Sequence, residues 1–329
     1  MTIDKNRLRF LLEKFKQSKV LVIGDIMLDQ FIWGEVSRIS PEAPVPVVHL
    51  QRESLMPGGA ANVACNIGAL NGKAGIIGVI GNDHWGKILK ALIKRSADTK
   101  GIVTDRERQT SLKTRIVARH QQVVRVDREE IKEINKKISQ KIINFIKNNL
   151  NNINAIIIED YGKGVINPFL LEQILKAVKR KNFIITVDPK EEHFSYYHGV
   201  TCITPNQHEA EKATGINIID EKSLEMAGRK LLKKIKACAV LITRGEQGMS
   251  LFIRGKKTIY IPTQAQEVFD VSGAGDTVIG AFTLALASGA TFEEAAHISN
   301  YAAGVVVGKV GVGTCTPAEL LTRIEQDIN

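Results

Sequence analysis

Short apolar runs rich in β-branched residues alternate along this chain with helical patterns, and no other feature constrains the fold as strongly. The predicted strands are Val20–Met27, Gly75–Ile80, Ala155–Glu159, Phe183–Val187, Val200–Thr204 and Val240–Thr243. The predicted helices are Gly59–Leu70, Trp85–Arg95, Glu129–Leu150, Pro168–Lys181, Glu221–Lys236, Gly273–Ser288 and Phe292–Val307. Continuous apolar runs suit strands covered on both faces, so we predict a doubly wound α/β fold with a mostly parallel sheet flanked by helices.

Two stretches interrupt this alternation. Gln30–Gln51 contains three prolines and a strand-like Val45–Leu50, and Thr110–Val126 alternates in part between apolar and polar residues. Neither stretch has a helix attached to it. We therefore predict one domain over residues 1–329, with antiparallel lid strands from about 31–50 and 110–127 outside the main sheet.

The formal net charge of +10 raises the question of an anionic partner. The lysines are spread over helical segments such as Glu129–Leu150, which places Ile131, Ile134, Ile138 and Ile142 on one apolar stripe. Aromatic residues make up only 5% of the chain, so surfaces for base stacking are scarce. We therefore expect no nucleic-acid partner.

Composition also bears on the compartment. The N-terminus is too charged for a signal peptide, and the longest uncharged stretch, between Asp276 and Glu293, is shorter than the ~20 residues of a membrane span. The four cysteines form no C-x-x-C pair and lie among apolar or small residues, as is typical of buried thiols. We expect a soluble cytoplasmic protein without a membrane partner.

The segment Asp270–Thr277 carries the strongest functional signal, because its GAGD leads directly into an apolar helix. Small residues let a ligand approach the backbone, and a helix start aims free N–H groups at an anion. Asp276, in the first turn, is placed to accept a proton from an attacking hydroxyl. A glycine-rich turn with Asp276 as a capping residue is the alternative, and short glycine motifs alone are weak.

Two further clusters suggest a polar ligand. Pro57–Ala64 opens a helix with small residues, and Asn62 in its first turn is a candidate for a sugar hydroxyl; close helix–sheet packing is equally consistent with the pattern. Gly24–Asp29 ends the first strand, where α/β folds bind ligands. We favour Asp29 as the ligand contact and leave Asp25 open, since either carboxylate also suits a cap.

Two later motifs are ambiguous on their own. Asn206 and Glu209 follow a strand and are able to organise water around a Mg²⁺–phosphate, but the sequence alone favours the alternative, an N-cap Asn with its capping-box Glu. Thr243–Gly248 is a strand followed by a turn with two glycines, and the motif alone favours a plain hairpin into Ser250–Ile253 over a nucleotide contact.

In this order, GGAANVA, N-x-x-E, T-x-G-x-x-G and the late D-x-x-GAGDT helix resemble the ribokinase-like (PfkB) family of carbohydrate kinases, from about Val20 to Thr316. The resemblance implies an α/β core with a β-sheet lid that frequently joins two subunits, so we expect a homodimer. It implies ATP and Mg²⁺ and, in some members, a monovalent cation such as K⁺.

The resemblance also assigns roles by position. The catalytic base falls on Asp276, and the anion hole falls on the backbone of Gly273, Ala274 and Gly275. The sugar-binding positions are Asp29, Gly58, Gly59 and Asn62. The positions that organise Mg²⁺ are Asn206 and Glu209. The nucleotide contacts fall on Thr243, Gly245, Gly248 and Asn300. The position that helps to bind a monovalent cation is Asp270.

Within the family, the run Arg38–Val48 and its flanking GDIMLD and PGGAANVA resemble the D-glycero-β-D-manno-heptose-7-phosphate kinases of lipopolysaccharide-precursor synthesis. This implies phosphorylation of the anomeric hydroxyl to heptose 1,7-bisphosphate. Many relatives carry an adenylyltransferase domain with an H-x-G-H signature, which this chain lacks, so we expect a stand-alone kinase. The candidates for holding the sugar phosphate are Arg38, Lys163, Arg115, Arg119 and Arg125, and the alternative for each is a solvated strand residue, which is the commoner role of a given arginine.

Other functions have less support. The same fold with another sugar, sugar phosphate or nucleoside as substrate is the nearest alternative. A dinucleotide-binding oxidoreductase is disfavoured because Gly24-Asp25-Ile26 after the first strand does not make a G-x-G-x-x-G motif. A nucleic-acid binder would rest on the net charge alone.

Overall fold

The computed structural model describes residues 4–118, 121–178, 183–265, 268–309, 311 and 313–328. The strands are β1 (Lys19–Gly24), β2 (Ile26–Ile39), β3 (Pro46–Gly59), β4 (Lys73–Gly81), β5 (Ala97–Asp105), β6 (Ser111–Ala118), β7 (Gln121–Arg128), β8 (Ala155–Glu159), β9 (Ile184–Asp188), β10 (Cys202–Ile203), β11 (Ala239–Thr243), β12 (Met249–Ile253) and β13 (Ile259–Ile261). The α-helices are α1 (Lys5–Phe15), α2 (Ala60–Ala69), α3 (His84–Ile93), α4 (Lys136–Asn149), α5 (Pro168–Val178), α6 (Gln207–Thr214), α7 (Glu221–Ile235), α8 (Ala274–Ala287), α9 (Phe292–Val307) and α10 (Pro317–Ile328).

The main sheet has the order β13-β12-β11-β10-β9-β8-β1-β4-β5. All neighbours from β5 to β11 pair in parallel, and β12 and β13 add an antiparallel edge. In β1, Val20 and Val22 pack in an apolar cluster with α2, α8 and α9, whereas Leu21 and Ile23 pack in a second cluster with α4, α5 and α7. Because successive side chains leave opposite faces of a strand, both faces are covered, and the predicted doubly wound fold is confirmed.

The second sheet has the order β3-β2-β6-β7 and contains the strands predicted for a lid, so it is called the lid below. Its strands β2 and β3 are longer than the predicted span of 31–50. The pairs β2–β3 and β6–β7 are antiparallel, but β2 and β6 are parallel, so the predicted all-antiparallel pairing is wrong for that pair. The reason is topological: two helices and two strands of the main sheet separate β2 from β6, and the chain re-enters the lid in the same direction.

The helix predicted to begin at Glu129 begins instead at Lys136, as α4. The Asn135 side chain caps this helix, because its oxygen accepts a hydrogen bond from the Ile138 amide at 2.9 Å. Ile131, expected on the buried stripe, precedes the helix and is 73% exposed. The polar cap therefore sets the start of α4, and the apolar period does not.

Other elements differ from prediction mainly at their ends. The terminal helices α1 and α10 were not apparent from the alternation, although α1 buries Leu8, Leu11 and Phe15. The helix predicted over Pro168–Lys181 is described as far as Val178, and its last residues lie outside the described part of the chain. All four cysteines are free; Cys238 is exposed, against expectation, and the other three are buried.

In the described part of the chain, no helix combines the length and the apolar character needed to cross a bilayer.

Candidate active site

The candidate site lies where the ends of β8 and β9 meet the start of α8. The residue before α8 is Gly273, whose φ of 79° lies in the left-handed region that glycine adopts without strain. Among the described residues, the amides of Gly273 and Gly275 have no hydrogen-bond acceptor, whereas the Ala274 amide donates to the Val271 carbonyl at 3.2 Å. Two of the three amides expected to form the anion hole are therefore free to bind an anion.

Asp276 is 5% exposed in the first turn of α8. The Asn62 side-chain amide donates to its Oδ2 at 2.7 Å, and the Tyr161 hydroxyl donates to its Oδ1 at 2.9 Å. Burial raises the pKa of Asp276 to about 6, while these two hydrogen bonds favour the ionised form and lower it. The carboxylate is thus largely ionised at neutral pH and able to accept a proton, and this ability is lost as the pH falls below about 6.

A small cavity of about 90 Å³ opens beside Asp276. It is lined by Met27, Asp29, Gly59, Asn62, Lys113, Arg115, Tyr161, Ser272, Gly273 and Asp276. The structure therefore brings together residues from the first strand, the GGAANVA motif and the GAGD motif. The oxygen of the Asn62 side chain accepts from Asn66 Nδ2 at 3.2 Å, so both polar atoms of Asn62 already have partners in the protein.

The two glycines before α2 make room for this arrangement. A Cβ on Gly58 would lie 2.0 Å from Asp29 Oδ2, so any side chain there would displace the carboxylate. Gly59 has a φ of 57°, and a Cβ on it would also crowd the Asp25 carbonyl oxygen at 2.7 Å. Gly58 thus acts on the cavity through Asp29, and Gly59 lines it directly.

Two cations of the lid strand β6 also line the cavity. Arg115 forms an ion pair with Asp29, and its guanidinium lies over the Phe31 ring. Lys113, two residues earlier on the same face, stands opposite Asp29 in the β2–β6 register, with its ammonium 5.2 Å from the centre of the Tyr161 ring. Lys113 was not among the predicted phosphate contacts, which from the lid strands included only arginines, although the alternation of β6 places Lys113 and Arg115 on the same face.

The other candidate cations lie elsewhere. Arg38 is exposed near the end of β2, nine residues beyond Asp29 and therefore about 30 Å along the strand. Lys163 forms an ion pair with Glu129 at 2.5 Å and does not line the cavity. Arg125 pairs with Asp127 on the exposed strand β7. Arg119 lies outside the described residues.

A second, larger cavity of about 550 Å³ is lined by Ala274 and Gly275 in the first turn of α8. The four predicted nucleotide positions all line it: Thr243, Gly245, Gly248 and Asn300. The Asn300 side-chain amide donates to the Pro262 carbonyl at 2.7 Å, which fixes its orientation. The rest of the lining is mostly apolar, and this size and lining suit a nucleotide.

Three carboxylates, those of Glu159, Asp188 and Asp276, each offer an oxygen within 4.8 Å of the others. Glu159 is fully buried, and neither of its oxygens accepts a hydrogen bond from a donor group among the described residues. Burial next to Asp188 and Asp276 raises its pKa well above the usual range. Buried carboxylates without partners are costly unless a proton or a cation compensates them. Oxygen ligands in this arrangement fit Mg²⁺. Glu159 was not among the predicted site residues, although it ends β8 opposite Asp188 on β9.

Asn206 and Glu209 form the capping box that the sequence favoured. The Asn206 oxygen accepts from the Glu209 amide at 2.9 Å, and Glu209 accepts from the Asn206 amide at 2.8 Å. Glu209 nevertheless lies close enough to the carboxylate cluster for its charge to raise the pKa of Asp188, after the larger effect of burial. The cap therefore holds a carboxylate at the edge of the cluster.

Two remaining aspartates have structural partners. Asp25, which the sequence left open, accepts hydrogen bonds from the amides of Tyr161, Lys163 and Val165 at 3.0–3.1 Å and so anchors the loop after β8. Asp270 is half-buried and accepts from the Ser272 amide at 2.8 Å, which braces the turn into α8.

Comparison with known proteins agrees with this geometry. Residues 17–319 match the model of the pfkB family carbohydrate kinases, and the chain belongs to this family. It is a sugar kinase.

The chain is 47% identical over 302 residues to the bifunctional protein HldE of Geobacter sulfurreducens. The aligned region covers 92% of this chain and 62% of that protein. The fold is similar to Arabidopsis thaliana ribokinase complexed with ribose and ATP, with a TM-score of 0.74 and 20% identity over 94% of this chain and 99% of that one. It is also similar to Escherichia coli phosphofructokinase-2 in complex with potassium, with a TM-score of 0.78 and 19% identity over 95% and 99%. At these identities the two structures establish the fold alone.

The hydrogen bond from Tyr161 to Asp276 predicts a measurable change in titration. In a Tyr161→Phe protein, the pKa of Asp276 should rise above about 6, because one donor that stabilises the carboxylate is lost. A ¹³C NMR titration of labelled aspartate carboxyl groups measures it. Tyr260→Phe, at a residue 45% exposed, is the matched control. An unchanged Asp276 pKa in Tyr161→Phe would contradict the assigned role of this bond.

Proposed function

We propose that this chain transfers the γ-phosphoryl group of ATP to the anomeric hydroxyl of D-glycero-β-D-manno-heptose 7-phosphate. The product is heptose 1,7-bisphosphate, a precursor for lipopolysaccharide synthesis. The observation that carries the proposal is the position of Asp276, a buried carboxylate that lines the smaller cavity, while its neighbours Ala274 and Gly275 line the larger one. The choice of heptose rests on the Arg38–Val48 run with its flanking motifs, and the 47% identity to the HldE protein supports it.

In this proposal the acceptor sugar occupies the smaller cavity, and the lid strands β2 and β6 exclude water from it. Asp29 and the backbone of Gly59 contact sugar hydroxyls. Asp276 accepts the proton of the attacking hydroxyl, and Asn62 and Tyr161 hold its carboxylate in one orientation. Gly58 leaves the space that Asp29 needs.

ATP, the second substrate, occupies the larger cavity against Thr243, Gly245, Gly248 and Asn300. The amides of Gly273 and Gly275 stabilise negative charge on the transferred group. The residues that would hold Mg²⁺ and its water ligands are Glu159, Asp188, Asn206 and Glu209. When bound, Mg²⁺ neutralises charge on the phosphate groups of the nucleotide.

We also propose that Asp270 contributes to a monovalent-cation site. The carboxylate oxygens of Asp270 are suitable ligands for a hard cation such as K⁺. The hydrogen bond from the Ser272 amide connects Asp270 to the turn that presents the Gly273 amide. A cation there would stabilise the turn and, through it, the start of α8.

The acceptor is tested by ADP release with heptose 7-phosphate, heptose, ribose, fructose 1-phosphate and a nucleoside, each at saturating ATP and Mg²⁺. We expect the highest kcat/KM with heptose 7-phosphate, at least about tenfold above heptose, because a charge-assisted phosphate contact is worth roughly 1.5–3 kcal/mol. A preference for ribose, fructose 1-phosphate or a nucleoside would contradict heptose 7-phosphate as the substrate.

The proposed cation site is tested in the same assay. Replacing K⁺ with tetramethylammonium should lower the rate, and Asp270→Ala should abolish this response. A rate that does not depend on K⁺ in the parent protein would contradict the site.

We further propose that the lid joins two copies of this chain. Apolar lid side chains are exposed, among them Ile39 and Leu50 at 61% and Val126 at 54%. The edge strands β3 and β7 each pair with one strand only among the described residues. Exposed apolar side chains and open strand edges favour association.

Sedimentation velocity should therefore show a dimer for the parent protein. The double substitution Leu50→Lys and Val126→Lys should shift it to a monomer, because it places charges on the apolar surface of the lid. The control is Ile219→Lys, at a position 86% exposed outside the lid, which should leave the dimer intact. A monomeric parent protein, or a dimer unaffected by the lid substitutions, would contradict dimerisation through the lid.

A further inference from the structure

The two cations in the acceptor cavity differ in their electrostatic surroundings. Arg115 is paired with Asp29, and the side chains of the two residues are only 17% and 8% exposed. Asp276, the other carboxylate of the lining, is held by the neutral donors Asn62 and Tyr161. Among the described residues that line this cavity, Lys113 is the cation without a carboxylate within ion-pair distance. Its charge is therefore available to a ligand.

The position of Lys113 connects this charge to the acceptor. Lys113 lies on the lid strand β6 and lines the smaller cavity, whereas the larger, nucleotide-side cavity has no lid residue in its lining among the described residues. The contact with the face of the Tyr161 ring holds the ammonium at the wall of the acceptor cavity. Lys113 is therefore placed to contact an anionic group on the acceptor and not one on the nucleotide.

The surroundings of Lys113 also favour an anionic ligand. Partial burial lowers its pKa, although the charges of Asp29 and Glu129 act in the opposite direction. Asp29 and Glu129 are each already in an ion pair with another cation, Arg115 and Lys163 respectively. A half-buried ammonium is partly desolvated before the ligand arrives, so a phosphate group displaces little further water when it binds.

We propose that Lys113 binds the phosphate at the non-reacting end of the acceptor and thereby sets the preference for a sugar phosphate over the free sugar. The proposal rests on the proposed function and names the group that recognises the substrate. It replaces Lys163 and the lid arginines as the phosphate contact, because Lys163 and Arg115 already have carboxylate partners and Arg38 is remote along β2.

The test compares Lys113→Gln, Lys113→Arg and the parent protein with heptose 7-phosphate and with heptose. In Lys113→Gln, kcat/KM for heptose 7-phosphate should fall about 10- to 150-fold, which is the range for one charge-assisted hydrogen bond. The loss with heptose should be clearly smaller than the loss with heptose 7-phosphate, and Lys113→Arg should recover part of the latter. The control is Lys87→Gln on α3, which removes an exposed lysine that lines neither of the two cavities and should behave as the parent.

The possible outcomes distinguish a failure of the role assigned to Lys113 from a failure of the proposed function. Equal losses for heptose and heptose 7-phosphate in Lys113→Gln, or no loss, would overturn the role of Lys113 and leave the proposed function in place. Equal kcat/KM for the two sugars in the parent would instead overturn the preference for a sugar phosphate. If the parent phosphorylated neither sugar, the heptose function would fail. In that case, calorimetric titration with heptose 7-phosphate in the absence of nucleotide would test the role of Lys113 separately. Equal affinities of the parent protein and Lys113→Gln for heptose 7-phosphate would overturn the proposed contact between Lys113 and the phosphate.

Discussion

The site depends on the pair of hydrogen bonds that hold the Asp276 carboxylate. The two donors come from distant parts of the chain: Asn62 follows the lid strand β3, and Tyr161 follows β8 of the main sheet. Asp25 in turn positions Tyr161, because the Asp25 carboxylate accepts hydrogen bonds from three backbone amides of the loop that contains Tyr161. One buried carboxylate therefore links α8, the main sheet and the base of the lid, and its orientation follows from the packing of all three.

The charges around Asp276 are arranged in two groups. Toward the main sheet lie Glu159 and Asp188, whose burial raises their pKa values and which lack cationic partners within ion-pair distance among the described residues. Toward the lid lie Lys113 and Arg115. A site that is acidic on one side and basic on the other suits a reaction between a metal-bound nucleotide and an anionic acceptor. The same contrast explains why the overall charge of +10 says little about partners, since the local distribution decides what binds.

Much of the fold was predictable because the main sheet obeys simple rules. Strands such as β8, buried along their whole length, appear in the sequence as unbroken apolar runs, and α9 has the predicted bounds Phe292–Val307. The start of α4 was not predictable from apolar period, because the cap at Asn135 decides it. The parallel pairing of β2 with β6 was also missed, since register between distant strands leaves no local pattern.

The candidate site was predictable to a similar extent. Residues within short glycine motifs, such as Asp276 and Gly59, were found because the motif marks them. Glu159, Tyr161 and Lys113 received no role because each lies next to Asp276 or the acceptor cavity only through the fold. Lys163 was one of five candidates for the sugar phosphate, and its ion pair with Glu129 is a contact between distant positions that the sequence does not reveal.

The central claim, that Asp276 accepts the proton of the attacking hydroxyl, is tested most directly by turnover and ATP affinity of Asp276→Asn. Asparagine keeps the size of the side chain and removes the proton acceptor. We predict that turnover falls about 10²–10⁴-fold, the usual range for loss of a general base. The ATP dissociation constant measured by calorimetry should stay near that of the parent protein, because Asp276 does not line the larger cavity. Turnover near that of the parent protein would contradict the claim.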